Sequence, residues 1–215
     1  MRYEKKMNGL TPQEIEEKSF TIIADELKEQ GILLDPETAA VVMRCIHTTA
    51  DFEYAKTLLF SAGAMEILQQ LIREGADLVT DTNMAYTGIN KRVLRQYGGE
   101  IHCFMADEDV ADTARRNGVT RASVSMEKAM QSDHPTIFVI GNAPTALLTL
   151  WEHAQNKDYT PAFIIGVPVG FVNVVEAKER ILQSRIPHIV NRGRKGGSNV
   201  AAAIVNAALY SMGER

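Results

Sequence analysis

The residues best suited to chemistry stand together near one end of the chain. Residues 191–198 read Asn-Arg-Gly-Arg-Lys-Gly-Gly-Ser. Glycine lets a main chain approach a ligand closely. A helix that follows such a loop adds free N–H groups and a favourable dipole for an anion. Arg192, Gly193, Lys195, Gly196 and Ser198 are therefore candidates for binding carboxylates or phosphates, with Arg194 in the same run. The plain alternative is a solvated loop with a helix cap at Ser198. The spacing is not GxxxxGK[ST], so this is no Walker A loop.

Three other stretches could take part. GNAPTAL (141–147) follows an apolar segment and opens a helical one. Its main-chain N–H groups and Asn142 could hold a ligand, or it is simply a strand-to-helix turn. It lacks the later glycines of GxGxxG, which removes the dinucleotide fingerprint. GVPVGFVNVVEAKE (166–179) bends at two glycines and a proline, and Gly166, Val167 and Pro168 are its candidates. An uncharged loop of this kind can lie flat against a large, mostly apolar ligand, or serve as a tight turn. In His-Thr-Thr-Ala-Asp, His47 and Asp51 are four apart and share a face if the helix runs on. An imidazole titrates near neutrality and can give or take a proton, although a lone histidine is usually structural. No GxSxG elbow and no His/Cys metal spacing occurs, so no metal is expected.

These residues need a scaffold, and the hydrophobic pattern supplies one. Thr11, Pro12 and Glu14 form a helix start, with Gly31 a natural stop. A second start at Asp35-Pro36-Glu37 leads into TAAVVMRCIHTTADFEYAKTLLF, which has no Gly or Pro, and Ser61 can cap a third helix toward Arg73. After Gly75, apolar segments 76–81, 101–105, 136–141, 162–169 and 188–192 alternate with helical ones. This order predicts an α/β fold: an open, mostly parallel sheet flanked by helices on both faces, with N-terminal helices preceding the sheet. The segments are continuously apolar, as strands buried on both sides are. The expected organisation is a single domain, with a helical part over 11–73 and a sheet-forming part over 76–212. Ligands in open α/β sheets bind beyond the carboxyl ends of the strands. Those ends carry Thr80, Asp81 and Thr82 together with the three loops above, so Thr82 joins the candidates.

Composition narrows the classes. The 215 residues include 23 Lys+Arg and 27 Asp+Glu, a formal net charge of −4, with 45% hydrophobic residues. That is ordinary globular chemistry. It argues against a nucleic-acid partner but leaves room for an anionic small molecule in a locally positive site. No apolar run approaches the roughly 20 residues of a membrane span, and MRYEKKMNGL lacks the apolar centre of a secretory signal. A cytoplasmic protein without a membrane partner is expected. Cys45 and Cys103 are far apart and fit reduced thiols.

Taken together, IEEKSFTII, IHTTADFEYAKTLLF, TDTNMAYTGIN, PTIFVIGNAPTALLTL, PAFIIGVPVGFVNVVEAKE and IPHIVNRGRKGGSNVAAAIVNAAL span nearly the whole chain. In that order they resemble the precorrin-8X (cobalt-precorrin-8) methylmutases of cobalamin biosynthesis. The resemblance implies an intramolecular transfer of a methyl group from C11 to C12 of ring C, giving hydrogenobyrinate or cobyrinate. It implies no cofactor, because the migrating methyl is already on the tetrapyrrole substrate. It implies a homodimer with sites near the subunit interface. His47 matches the family's catalytic histidine, a donor to the ring C nitrogen. Ser19, in EKSF, matches a substrate contact. Arg121, in GVTRAS, matches an arginine near the reacting ring, with Arg115 and Arg116 close by. A non-catalytic tetrapyrrole carrier is the alternative function, and a nucleotide-dependent α/β enzyme is a third.

Overall fold

The computed structural model describes residue 9 and residues 11–213. The opening segment MRYEKKMNGL, which bears on a leader, lies outside them except for Gly9. Six strands form one sheet in the order β1-β6-β5-β4-β2-β3. They are β1 (Leu58–Phe60), β2 (Asp77–Thr80), β3 (Ile101–His102), β4 (Thr136–Ile140), β5 (Phe163–Gly166) and β6 (His188–Asn191). β1 pairs antiparallel with β6, and every other pairing is parallel. The fold is therefore the open, mostly parallel α/β sheet that the pattern predicts.

The continuous apolar runs have a simple cause. Successive side chains of a strand point to opposite faces, and here both faces are covered. Ile137 and Val139 of β4 join one core while Phe138 and Ile140 join the other. Leu78 and Val79 of β2, Phe163 and Ile164 of β5, and Ile189 and Val190 of β6 divide in the same way. The first core is closed by α1 (Pro12–Glu29), α2 (Ala39–Thr49), α4 (Ala64–Arg73) and α11 (Ser198–Met212). The second is closed by α8 (Arg121–Ala129), α9 (Pro144–Asn156) and α10 (Val174–Leu182). Three shorter helices, α3 (Tyr54–Thr57), α5 (Asn83–Gly88) and α6 (Lys91–Leu94), and the peripheral α7 (Glu108–Asn117) complete the chain.

Local signals place the first helices well. Thr11 and Glu14 form the reciprocal cap of α1, with Pro12 in its first turn. At the other end the Ile32 N–H reaches back to the Leu27 carbonyl around Gly31.

Three expectations need correction. The segment 39–60 is not one helix: Ala50 turns left-handed (φ 53°) and ends α2, and Leu58–Phe60 becomes a strand of the sheet inside the part read as helical. A helix end needs no glycine if an alanine bears the strain, so the sequence carried no stop signal there. Ser61 does not cap α4, whose cap is Gly63. It continues the β1–β6 pairing instead, exchanging hydrogen bonds with the His188 main chain (3.0 and 2.9 Å). The strand at 101–105 is only Ile101–His102, because Phe104–Ala106 turns as a 3-10 helix and packs against the second core.

Ala50 gives a direct stability test. An L-residue in the left-handed region costs on the order of 1 kcal/mol, and glycine is the usual residue at such a helix end. Ala50→Gly should stabilise the fold by about 0.5–1 kcal/mol and raise Tm by ~2–3 °C in thermal unfolding. An unchanged or lower Tm would show that the alanine is unstrained.

Candidate active site

The sheet brings the candidate loops to one lip, at the carboxyl ends of β2, β4, β5 and β6. Asp81 organises this lip. It follows β2, is 1% exposed, and its carboxylate accepts the N–H groups of Gly141 (2.8 Å), Asn142 (2.8 Å) and Ala143 (2.6 Å). Burial pushes its carboxyl up, and the three main-chain donors pull against that by favouring the charged form. These N–H groups are thus consumed inside the protein. The reading of 141–143 as a ligand loop through its main-chain donors is corrected; the Asn142 side chain itself stays exposed.

Two glycines allow the loops to close on each other. A Cβ on Gly141 would lie 2.7 Å from the Ser198 Cα, and one on Gly196 would lie 2.0 Å from the Val167 carbonyl oxygen. That same carbonyl accepts the Gly197 N–H at 2.9 Å. Ser198 opens α11 without capping it, since the cap position is Gly197. The Ser198 hydroxyl instead meets the Thr82 hydroxyl at 2.7 Å, while Thr82 caps α5 through the Ala85 N–H. Gly166 ends β5, packed under Val190 and Leu147, and Val167 and Pro168 are buried behind it.

The 191–198 loop is held from below. The Thr57 hydroxyl donates to Asn191 Oδ1 (2.8 Å), and Asn191 Nδ2 donates to the Lys195 carbonyl (2.9 Å). The fully buried Lys178 of α10 donates to the carbonyls of Gly193 (2.8 Å) and Lys195 (2.7 Å). The Gly170 N–H donates to the Arg194 carbonyl. The carbonyls of Gly193, Arg194 and Lys195 are therefore satisfied internally. Among the described residues the N–H groups of Gly193, Arg194, Lys195 and Gly196 meet no protein acceptor.

The cations are less free than their sequence suggests. Arg192 Nε donates to Glu179 (2.9 Å), and Lys195 Nζ lies 2.6 Å from both Asp51 and Glu53. The Lys195 ammonium holds the Asp51 carboxyl below the usual carboxylate range. Arg194, the remaining cation of the run, lies over the exposed ring of Phe171 (5.5 Å) and has no carboxylate partner among the described residues. Val169, Phe171 and Val172 stand exposed beside this loop, an apolar surface next to unpaired N–H donors.

His47 of α2 and Phe20 of α1, the residue after Ser19, meet across neighbouring helices. His47 is exposed in the last turn of α2, its ring stacked on Phe20 (5.2 Å, 21°). Ser19 donates to the Ile15 carbonyl one residue away from Phe20. Asp51 does not share a helix face with His47, because α2 has ended. Its bond to Lys195 instead fastens the end of the His47 helix to the glycine loop. Arg121 opens α8 beside Thr120, whose hydroxyl meets that of Thr145 (2.8 Å) at the start of α9. Arg115 and Arg116 bond to Asp112 and Thr113 on α7 and are not tied to the lip.

Asp81 and Lys178 were missed as site-building residues, and both left a signal. Asp81 ends an apolar strand facing a glycine turn. Lys178 occupies the apolar stripe of α10, with Val174, Ala177 and Ile181 at helical spacing. A cavity of about 480 Å³ lies elsewhere, at the far end of α11, lined by Glu16, Arg44, Asn90, Tyr97 and Tyr210. Cys45 is buried and its thiol is pushed up to about 12, so it is inert as a nucleophile. Among the described residues no three His, Cys, Asp or Glu side chains could hold a metal ion, and no helix is long and apolar enough to cross a membrane.

Comparison with known proteins adds the chemistry. The family model described as Precorrin-8X methylmutase matches residues 14–211. A cobalt-precorrin-8 methylmutase of Salmonella typhimurium is 45% identical over 207 residues, covering 94% of this chain and 97% of that protein. A precorrin-8X methylmutase of Pseudomonas aeruginosa is 37% identical, with coverages of 91% and 93%. The crystal structure of a precorrin-8X methylmutase from Thermus thermophilus superposes with a TM-score of 0.81 at 39% identity, covering 91% of this chain and 95% of that one.

The Asp81 clamp can be tested alone. Asp81→Asn replaces one acceptor oxygen with a donor facing N–H groups. It should cost about 3 kcal/mol, a fall in Tm of ~6–12 °C. A loss within one degree would show that Asp81 does not hold the lip together.

Proposed function

The chain belongs to the precorrin-8X methylmutase family, and we propose that it moves a methyl group from C11 to C12 of ring C in a corrin precursor. It is an isomerase of corrin-ring biosynthesis. The C11–CH₃ bond breaks and the C12–CH₃ bond forms, so atoms and electrons balance without an oxidant, a reductant or a methyl donor. The substrate we favour is cobalt-precorrin-8, giving cobyrinate. Relatives at 45%, 42% and 41% identity carry the cobalt-precorrin-8 name, against 37% and 30% for those named precorrin-8X methylmutase.

One observation carries the reading: a run of unpaired main-chain N–H groups, residues 193–196, beside the exposed apolar side chains of Val169, Phe171 and Val172. A tetrapyrrole bearing acetate and propionate arms needs that combination, donors at its rim and apolar surface against its ring. Arg194 is the cation placed to add charge there, and Arg192 and Lys195 contribute through their paired carboxylate networks. His47 is the donor to the ring C nitrogen, where a proton or hydrogen bond biases the tautomer toward migration. Its stacking on Phe20 sets the imidazole plane, and Ser19 is the residue before Phe20 on α1.

The assembly we favour is a homodimer in the cytoplasm. His47 is exposed in the single chain, which suits a pocket completed by a second copy.

Purified protein incubated with cobalt-precorrin-8 should convert it, followed by the visible spectrum. Binding without conversion would support a carrier instead. His47→Ala should keep product affinity within about threefold and lose at least ~100-fold in turnover, the scale of general acid catalysis. Full activity would remove His47 from the mechanism. Arg121→Ala should raise KM by ~10-fold or more, the worth of one charged hydrogen bond. Arg115→Ala and Arg116→Ala should leave KM unchanged. An equal response of all three would take Arg121 out of the site.

A further inference from the structure

Helix α10 carries a lysine where its apolar stripe calls for hydrocarbon. Val174, Ala177, Lys178 and Ile181 lie at helical spacing and all four are buried, Lys178 at 0% exposure. A buried ammonium normally needs a carboxylate. Among the described residues Lys178 has none within salt-bridge distance. Its Nζ meets two loop carbonyls, those of Gly193 and Lys195, at 2.8 and 2.7 Å. The cations of that same loop are Arg192 and Lys195, both paired with carboxylates, and Arg194. Burial draws its pKa down to about 7. The two N–H donors of the neutral amine suffice for the two acceptors it has.

We infer that Lys178 is a positioning residue for anion binding at the lip. By drawing the carbonyls of Gly193 and Lys195 toward α10 it leaves the N–H groups of Arg194, Lys195 and Gly196 for the carboxylate arms of the substrate. Three observations support this division of the loop. The carbonyls of Gly193, Arg194 and Lys195 all have donors from the protein. The N–H groups of residues 193–196 have no acceptor among the described residues. The tight contact of Gly196 with Val167 fixes where the loop ends. Lys178 itself touches no substrate. It acts through the main chain, and bound carboxylates above the loop in turn favour its protonated form. The inference rests on the corrin reading only for the identity of the anion.

The test separates binding from chemistry and from stability. Lys178→Met fills similar volume without donors and leaves the carbonyls of Gly193 and Lys195 unpaired, which costs stability. We expect KM for cobalt-precorrin-8 and the Kd of the cobyrinate product to rise about tenfold, with kcat within twofold and Tm lowered. Unchanged KM and Kd in the folded variant, or lost kcat at unchanged KM, would overturn the proposal. Should the variant not fold, the wild-type protein decides. With ¹³Cε-labelled lysine, the Lys178 resonance should shift its titration midpoint upward by about one pH unit when product saturates the site. A midpoint indifferent to bound product overturns the proposal equally. If the product does not bind wild-type protein at all, the corrin reading fails. Citrate, a tricarboxylate, then takes the product's place in both experiments with the same expected and overturning outcomes.

Discussion

The lip depends on a charge kept inside the protein. Parallel strands that end together leave a fringe of main-chain donors and acceptors, and each must find a partner or face water. Asp81 takes up three of those donors in one turn and so joins the end of β2 to the start of α9. A carboxylate is costly to bury. Three charge-assisted bonds at 2.6–2.8 Å are the form of compensation that makes it tolerable. With the Gly141 turn held in this way, the first turn of α11 can lie directly against it, close enough that a single methyl group at residue 141 would collide with Ser198.

The rest of the lip follows the same rule with roles reversed. In the Gly193–Lys195 stretch the carbonyls are the groups that find partners, from Lys178, Asn191 and the Gly170 amide. The N–H groups are those left over. One turn thus hides its donors while the next hides its acceptors, and only the second has anything to offer an anion. This distinction decides between two loops that look alike as sequence. Both are glycine-containing turns between an apolar strand and a helix, yet their hydrogen-bonding faces are opposite.

The sheet was legible because burial on both sides writes an uninterrupted apolar run for each central strand, as in TIFVI of β4 and FIIG of β5. The edges were not. Leu58–Phe60 pairs with β6 alone, is short, and follows directly on the four-residue helix α3, so no composition change marks it. The candidate loops are read from glycine and charge, and the resemblance proposes His47, Ser19 and Arg121. Which groups are free was not legible, since it depends on partners distant in sequence. Lys195 reads as a substrate cation, but Asp51 and Glu53 stand against it. Asp81 and Lys178 read as ordinary charges until the fold brings carbonyls and amides to them.

A methyl shift within one molecule asks little of a protein in reagents and much in placement. No external group enters or leaves, so rate enhancement must come from holding one tautomer and one orientation. A rigid array of main-chain donors suits that better than long cationic side chains, which lose rotamer freedom when they bind. The arrangement here fits that logic. Arg192 and Lys195 are tethered by Glu179, Asp51 and Glu53. The Lys195 tether also joins the glycine loop to the segment just after His47, so the groups proposed to grip the periphery and the imidazole proposed to act on ring C are parts of one connected frame. A displacement of the loop would be transmitted to the end of α2 through that contact. On the proposed roles, binding geometry and proton placement are coupled by the fold rather than by the substrate alone.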